Sequence, residues 1–421
     1  MILSFSIRNY KSILNLLLSM QFGEGTPNGY RNFDTHIFFK EHQYKISPVF
    51  SIFGANASGK SNIIEAMNVF ITLVKNGINY NLYKPNKLNP KYNDTEFVTD
   101  IILNNKHYKY SISYNDLTIV KEELVCNGKT LILCENQNLK TIYEKSILYN
   151  KEKLSEIYDV ECKNAQQQQV STFLIKLYKG YANLSSEISL FCDYLLNNID
   201  ILKDNRINSS YYSLKQLSSL LEDEQLALQK IVKLIKKFDI DIENIEYELK
   251  KVPLLEYDYQ ALENLVGIDD QSKTINYNQF YAFHKDTNNQ IKKFKIQEES
   301  LGTQILLSLI AISLTSLEKG GVLFVDEIDL SLHPLLLIQI VKLFKDKRYN
   351  KKNAQLIFTS HCSDLLEDDL IRKSEVGIVT KTKENGSKLI KLSDFKDLKN
   401  VVDFRKRYLI GEFSGIPHAY I

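Results

Sequence analysis

Residues 48–70 read PVFSIFGANASGKSNIIEAMNVF, and the folding of this stretch decides how the rest of the chain is read. Val49, Phe50, Ile52 and Phe53 make a short apolar run that suits a strand buried in a parallel sheet. Gly54-Ala55-Asn56-Ala57-Ser58-Gly59-Lys60-Ser61 then fits the pattern G-x-x-x-x-G-K-[ST] at each fixed position. Asn62 to Phe70 follows with apolar residues at helical spacing. Two glycines let such a loop curl so that successive backbone N–H groups face a polyphosphate, with the helix N-terminus behind them. In that geometry Lys60 reaches the β- and γ-phosphates, and the Ser61 hydroxyl is a ligand of Mg²⁺. A chance glycine-rich turn would not carry a buried strand before it and a patterned helix after it. The stretch reads as a nucleotide site.

Downstream, Gly321-Val322-Leu323-Phe324-Val325-Asp326-Glu327 is a nearly continuous apolar strand ending in two carboxylates. Beside a phosphate loop, Asp326 is placed to hold Mg²⁺ directly or through water. Glu327 is placed to orient and deprotonate an attacking water. The plain alternative is a strand that ends in a charged turn. A second buried strand, Gln355 to Ser360, ends on His361, which can hydrogen-bond a γ-phosphate oxygen or the attacking water. Before the acidic strand, Ser300-Leu301-Gly302-Thr303-Gln304 opens an apolar helix from Ile305 to Leu317. Taken alone, that pentapeptide is only an N-terminal cap, with Ser300 or Thr303 as the capping residue.

The remaining chain reads as elements inserted around these motifs. Residues 2–7 form a strand, with Asn9 to Ile13 as the turn after it and a second apolar segment at Leu14 to Leu18. From Glu96 the period becomes two, with strands at Phe97 to Leu103, Tyr108 to Tyr114, Ile119 to Val125 and Thr130 to Cys134, and a hairpin signal at Asn127-Gly128. Residues 150–250 read as largely helical. The Gln166 to Gln169 tract reads as a solvated helix face or loop. Leu214, Leu217, Leu220, Leu221, Leu228, Ile231, Val232, Leu234 and Ile235 form a stripe that suits a helical lid or short projecting hairpin. Phe238 to Tyr247 alternates and returns the chain to a sheet. The expected divisions are 1–147 and 237–421 as two parts of one nucleotide-binding head, with 148–236 as a helical insertion.

With 421 residues the chain exceeds one small core. A net charge of +2 announces no global basic field for nucleic acid. No run of about 18 apolar residues is evident, so no membrane partner is expected. The start lacks the order of a signal peptide. The five cysteines form no C-x-x-C pair, which reads as reduced thiols and a cytoplasmic setting.

The ordered set GANASGKS, ESLGTQ, VLFVDEID and IFTSH resembles an ATP-binding-cassette ATPase head of the branch that includes the RecF, SMC and OLD proteins. Asn9 to Ile13 is similar to the N-F-[KR]-S segment on the first strand of those proteins. Phe404 to Pro417 resembles the Y-x-x-G-R-F-G-A-I-P tail of bacterial AAA-type ATPases of the RloA/AbiLi group, with Glu412 and Ser414 where that group has arginine and glycine. The fold implied is α/β: a phosphate-loop parallel sheet core plus an antiparallel β meander, with an inserted helical lid or hairpin subdomain. The resemblance implies that Gly54, Ala55, Asn56, Ala57, Ser58, Gly59, Lys60, Ser61 and Asn62 bind ATP, with Lys11 and Ser12 reaching it from the first strand. It implies Ser61 and Asp326 at Mg²⁺, Glu327 as base and His361 as switch histidine. Ser300, Gly302, Thr303 and Gln304 would cap the γ-phosphate of a second subunit, in a head-to-tail homodimer or higher assembly. No glutamine lies between Gln43 and Gln137, so the usual glutamine-loop ligand has no counterpart, and His333 stands where many cassette ATPases have the D-loop aspartate.

The function implied is an ATP-hydrolysing dimeric switch in a bacterial anti-phage, abortive-infection system. It would control a separate effector of TOPRIM-like nuclease or toxin type, with DNA or a phage protein as the trigger. The alternative is a DNA-binding ATPase of repair or chromosome maintenance, as in RecF and SMC. For that the chain offers only Lys230, Lys233, Lys236 and Lys237 on one helix, with Lys250 and Lys251 beyond, a pattern that a solvated helix face explains equally. A transporter's ATPase subunit fits less well, because of the long insertion and the S-x-G-T-Q sequence.

Overall fold

The computed structural model describes residues 1–22, 37–39, 44–88, 90–142, 151–180, 184–203, 224–238, 240–253, 268–269, 274–366, 370–395, 404–413 and 415. Alternating sequence gives an antiparallel start: β1 (Ile2–Tyr10) pairs with β2 (Ile13–Ser19), and a small hairpin follows as β3 (Ile37–Phe39) and β4 (Tyr44–Ile46). The apolar run becomes β5 (Val49–Gly54), buried along its whole length, and leads into α1 (Lys60–Asn76). The meander is β6 (Thr95–Leu103), β7 (Lys106–Tyr114), β8 (Ile119–Cys126), β9 (Lys129–Glu135) and β10 (Asn138–Ile142), the last of which is an extra strand that the sequence reading did not include. Three of its hairpins turn on paired left-handed residues, Asn104-Asn105, Asn127-Gly128 and Asn136-Gln137, the conformation that matches the twist of the flanking strands.

Helices α2 (Lys151–Cys162), α3 (Phe173–Gly180) and α4 (Ser186–Asn197) precede β11 (Ile199–Leu202). Then come α5 (Glu224–Lys237), β12 (Asn244–Pro253), β13 (Ile268–Asp269), β14 (Thr274–Lys285) and β15 (Ile291–Lys295). The chain continues with α6 (Leu301–Lys319), β16 (Val322–Val325), α7 (Pro334–Lys345), β17 (Gln355–Thr359), β18 (Val376–Thr382), β19 (Gly386–Lys391) and α8 (Phe404–Leu409).

The chain divides into two compact units: Met1–Lys203 with Ser316–Ile328 and Val341–Ile421, and Asp204–Thr315 with Asp329–Ile340. The first holds a 13-stranded sheet in the order β10-β9-β8-β7-β6-β1-β2-β19-β18-β5-β17-β16-β11. Within it β18, β5, β17, β16 and β11 run parallel, and the meander fills the opposite half. The expected parallel core plus antiparallel meander is therefore what the chain forms. Helix α1 buries Ile63, Met67, Phe70 and Val74, one stripe of its surface, and Phe70 packs with Phe5, Phe97 and Tyr110 at ring separations of 5.7–6.1 Å.

The interval 148–236, expected as one helical insertion, is split between the units. Residues on α2, α3 and α4, among them Tyr158, Phe173 and Phe191, join the same buried cluster as Phe70 and Phe97. The physical reason is a buried acid. Glu122 of β8 is fully buried and accepts the first N–H groups of α3, from Phe173 at 2.8 Å and Leu174 at 3.1 Å. It also accepts the Tyr110 hydroxyl and the Gln169 amide, both at 3.0 Å. Burial pushes this carboxyl up, and the four donors pull against it. Gln169, at the end of the glutamine tract, is thus a core residue in a loop and not part of a solvated face. Leu214, Leu217, Leu220 and Leu221 of the expected lid lie outside the described residues.

The second unit has an antiparallel sheet in which β14 pairs with β12, β13 and β15. The expected strand at Phe238 begins only at Asn244. Of the basic residues read there, Lys236 pairs with Glu243 at 2.5 Å and Lys250 with Glu248 at 2.8 Å. Helix α6 is, among the described residues, long and apolar enough by composition to cross a bilayer, but 72% of that window is buried, as in a core helix. All five cysteines are free thiols.

Candidate active site

The loop after β5 takes its shape from a run of left-handed and other unusual backbone conformations, two of them at glycines. Gly54 and Gly59 have φ of 151° and 107°, and Ala57 sits at 62°. A Cβ on Gly59 would come within 2.3 Å of Ser387 Oγ and 2.7 Å of Ser12 Oγ, so glycine is required there by space as well as by φ. Lys60 opens α1 and is buried. Its ammonium donates to the carbonyls of Gly54 at 2.9 Å and Ala55 at 3.1 Å, which holds the charge over the concave side of the loop. Gly59 caps α1 with no side-chain acceptor, so the first-turn N–H groups are not satisfied by a cap. Ser61 and Ala55 to Ala57 lie at the surface to varying degrees, while Ser58 is buried.

Ser12, on the turn after β1, is wired to this loop. Its hydroxyl meets Ser387 Oγ at 2.7 Å and accepts Asn62 Nδ2 at 2.7 Å, and Ser387 Oγ donates to the Ser58 carbonyl at 2.5 Å. Lys11, at φ 48°, pairs with Glu65 of α1, which Lys84 also reaches at 3.2 Å. Burial would raise the Glu65 carboxyl, but the hydrogen bonds from Lys11 and Lys84 and the charges of Lys11 and Lys203 outweigh it and hold the carboxyl below its usual range. Asn9 belongs to the scaffold: its amide donates to the carbonyls of Tyr92 and Asp94.

Strand β17 lies between β5 and β16, so the ends of the three parallel strands adjoin. Thr359 connects them. Its hydroxyl donates to Asp326 Oδ1 at 2.6 Å and accepts the Glu327 N–H at 2.7 Å. Glu327 has φ of 49°, a conformation that side-chain-bearing residues pay for, and one that turns the chain sharply just after the buried strand. His361 follows Ser360 past the end of β17 and is exposed. The first unit therefore brings Lys11, Ser12, Gly54 to Asn62, Asp326, Glu327 and His361 to one end of adjacent strands. A serine hydroxyl and a carboxylate are hard oxygen donors, so Ser61 and Asp326 fit Mg²⁺. The chemistry such a set supports is phosphoryl transfer to water.

In the second unit Ser300 caps α6: its hydroxyl accepts the Thr303 N–H at 3.1 Å and meets Thr303 Oγ1 at 2.9 Å. Gln304 is buried and donates to the carbonyl of Glu299 at 2.7 Å. A Cβ on Gly302 would come within 3.0 Å of the Ser331 carbonyl.

The sequence profile of the family described as "AAA domain, putative AbiEii toxin, Type IV TA system" matches residues 49–367. The chain belongs to this family. For this AAA-domain protein the match runs from β5 through His361, and the expected ATPase resemblance is borne out at that level. No curated protein matches the chain. Solved structures similar to this AAA-domain protein include one described as the SmcHead bound to the C-winged helix domain of ScpA, at 12% identity, TM-score 0.46, and 94% and 99% of the two chains covered. Another is the SMC head domain from Thermotoga maritima, at 12% identity, TM-score 0.41, and 93% and 98% covered. Both scores are too low to carry weight, and the architecture stands on the strand order described above.

Thr359, Ser387 and Glu65 are site residues that sequence reading missed. Thr359 had a weak signal, since it stands within IFTSH. Ser387 had none: its partner Ser12 is 375 residues away.

Proposed function

We propose that this protein is an ATP-hydrolysing switch that closes as a head-to-tail pair and controls a separate effector in a bacterial anti-phage system. The observation that carries the ATPase reading is the adjacency of the Lys60 loop on β5 to the Asp326–Thr359–Glu327 chain on the neighbouring strands. The loop's N–H groups and Lys60 bind the β- and γ-phosphates, and Ser61 and Asp326 would hold Mg²⁺, which would supply neutralisation of phosphate charge. Glu327 takes a proton from water as the water oxygen bonds to the γ-phosphorus. The bond from that phosphorus to the β–γ bridging oxygen breaks, leaving ADP and phosphate. His361 holds a γ-phosphate oxygen. Lys11 and Ser12 line the nucleotide from β1. Ser300, Gly302, Thr303 and Gln304 close over the γ-phosphate of the second copy. The family's description, which names a putative AbiEii toxin and a Type IV TA system, supports the defence reading.

Mass photometry with ATP tests the reading on wild type, Lys60→Ala and Glu327→Gln, with and without the protein encoded beside it. Glu327→Gln is expected to accumulate an ATP-dependent pair that holds or releases the neighbour. A mass indifferent to ATP, with Lys60→Ala behaving as wild type, overturns it.

A further inference from the structure

The C-terminal helix α8 lies under the nucleotide site at two separate points. Tyr408 is buried, and its ring packs edge-on against Phe53, the residue before Gly54, at 5.9 Å. Its hydroxyl donates to the Gly415 carbonyl at 3.2 Å. A Cβ on Gly415 would stand 3.7 Å from the Gly54 Cα, so Tyr408 and Gly415 together back the first glycine of the phosphate loop. One turn earlier on α8, Arg405 forms an ion pair with Asp364, which lies on the 3₁₀ turn Ser363–Leu366 that follows His361. Phe404 and Phe413 are buried, and Phe413 packs with Phe395 at 5.2 Å, so both ends of the segment are anchored. Arg407 pairs with Glu412 at 2.7 Å within the segment, which gives the glutamate found in place of the tail's usual arginine a local partner.

We propose that Phe404–Phe413, with Gly415, is a coupling strap in which Tyr408 positions the start of the phosphate loop and Arg405 positions the turn that follows His361. This rests on the nucleotide reading of Gly54 to Ser61. Both are positioning residues, since they act through Gly54 and through Asp364. Burial pushes the Tyr408 hydroxyl up while a hydrogen bond from the Gly54 backbone pulls against it, in keeping with that contact. The strap makes the loop that binds phosphate and the histidine that senses the γ-phosphate move together.

The test uses the full chain with a fluorescent ATP analogue for affinity, single-turnover hydrolysis for rate, and thermal melting for folding. Tyr408→Phe removes one hydroxyl and is expected to weaken nucleotide binding about threefold to tenfold with hydrolysis rate and melting temperature held. Arg405→Gln and Asp364→Asn should each slow hydrolysis about tenfold at unchanged affinity, because displacement of a catalytic group acts on rate. The exchanged pair Arg405→Asp with Asp364→Arg should restore most of the rate, as an ion pair between the two positions requires, and the unchanged melting temperature of the single variants separates this from a structural role. Wild-type affinity and rate in all three single variants, with Lys60→Ala unable to bind, overturns the strap alone. Changes in rate that track only a fallen melting temperature also overturn it. A Lys60→Ala protein that binds nucleotide as wild type does overturns the nucleotide reading, and the strap with it.

Discussion

Helices α1 and α6 both begin at loops that the proposed nucleotide chemistry uses, and they begin in opposite ways. Helix α1 starts after Gly59, with no side chain accepting its first N–H groups, and its loop is held from outside by Ser12 and Ser387, with Asn62 of the helix donating to Ser12. Helix α6 starts after Ser300, which satisfies Thr303 itself, and Gln304 pins the preceding turn through Glu299. An N-terminus left uncapped is a ready anion site, whereas a capped one is a self-supporting surface. The phosphate loop depends on distant residues for its shape, while the S-x-G-T-Q loop depends on its own.

The sharpest way to break this contrast is Gly59→Ala. With φ at 107° and Ser387 Oγ 2.3 Å from the new Cβ, the loop must distort. Nucleotide affinity should fall about 100-fold, the scale of strain of a few kcal/mol. A titration showing affinity within threefold of wild type would mean the loop has more room than the contacts allow.

On the other helix, Gln304→Ala should lower unfolding free energy by about 0.5–1.5 kcal/mol, because a part-buried backbone carbonyl loses its partner. Urea unfolding measures it. Nucleotide binding by a single head should be untouched, and a large change there would undo the view of this loop as self-supporting.

A smaller effect separates capping from recognition. Ser300→Ala should cost about 1 kcal/mol, and Ser300→Asp, which keeps a capping oxygen, only a few tenths. Under the proposed pairing in trans, both should lose the ATP-dependent dimer expected in mass photometry, since alanine has no hydroxyl to donate to a γ-phosphate and aspartate adds like charge. Dimerisation that follows stability instead would reduce Ser300 to a cap.

The smallest effect is the pH response of α1. The Glu65 carboxyl is held below its unfolded value by Lys11 and Lys84, so its stabilisation is complete above the unfolded pKa and is lost as pH falls through the folded one. Wild type should exceed Glu65→Gln by under about 1 kcal/mol near neutrality, the usual scale for such half-exposed pairs. The two should converge on the acid side, below about pH 4. Melting curves across pH 3–7 would show the crossover, and a difference independent of pH would assign Glu65 a packing role only.

Sequence alone determined the parts whose chemistry is local. Continuous apolar runs gave away β5, β16 and β17, because strands buried on both faces need no polar alternation. Period two and Asn-rich turns marked β6 to β9, and the Gly-Lys-Ser spacing marked the loop. Tertiary structure alone decided the assignments that depend on partners far along the chain. Glu122 draws α3 into the first unit, so residues that read as an insertion became core. Thr359 joins Asp326 to Glu327 across neighbouring strands, and Ser387 reaches Ser58 and Ser12. Spacing in a sequence reports which side chains share a face of one element. Which elements meet is set by burying every face and satisfying every buried polar group at once, and that condition exists only in the folded chain.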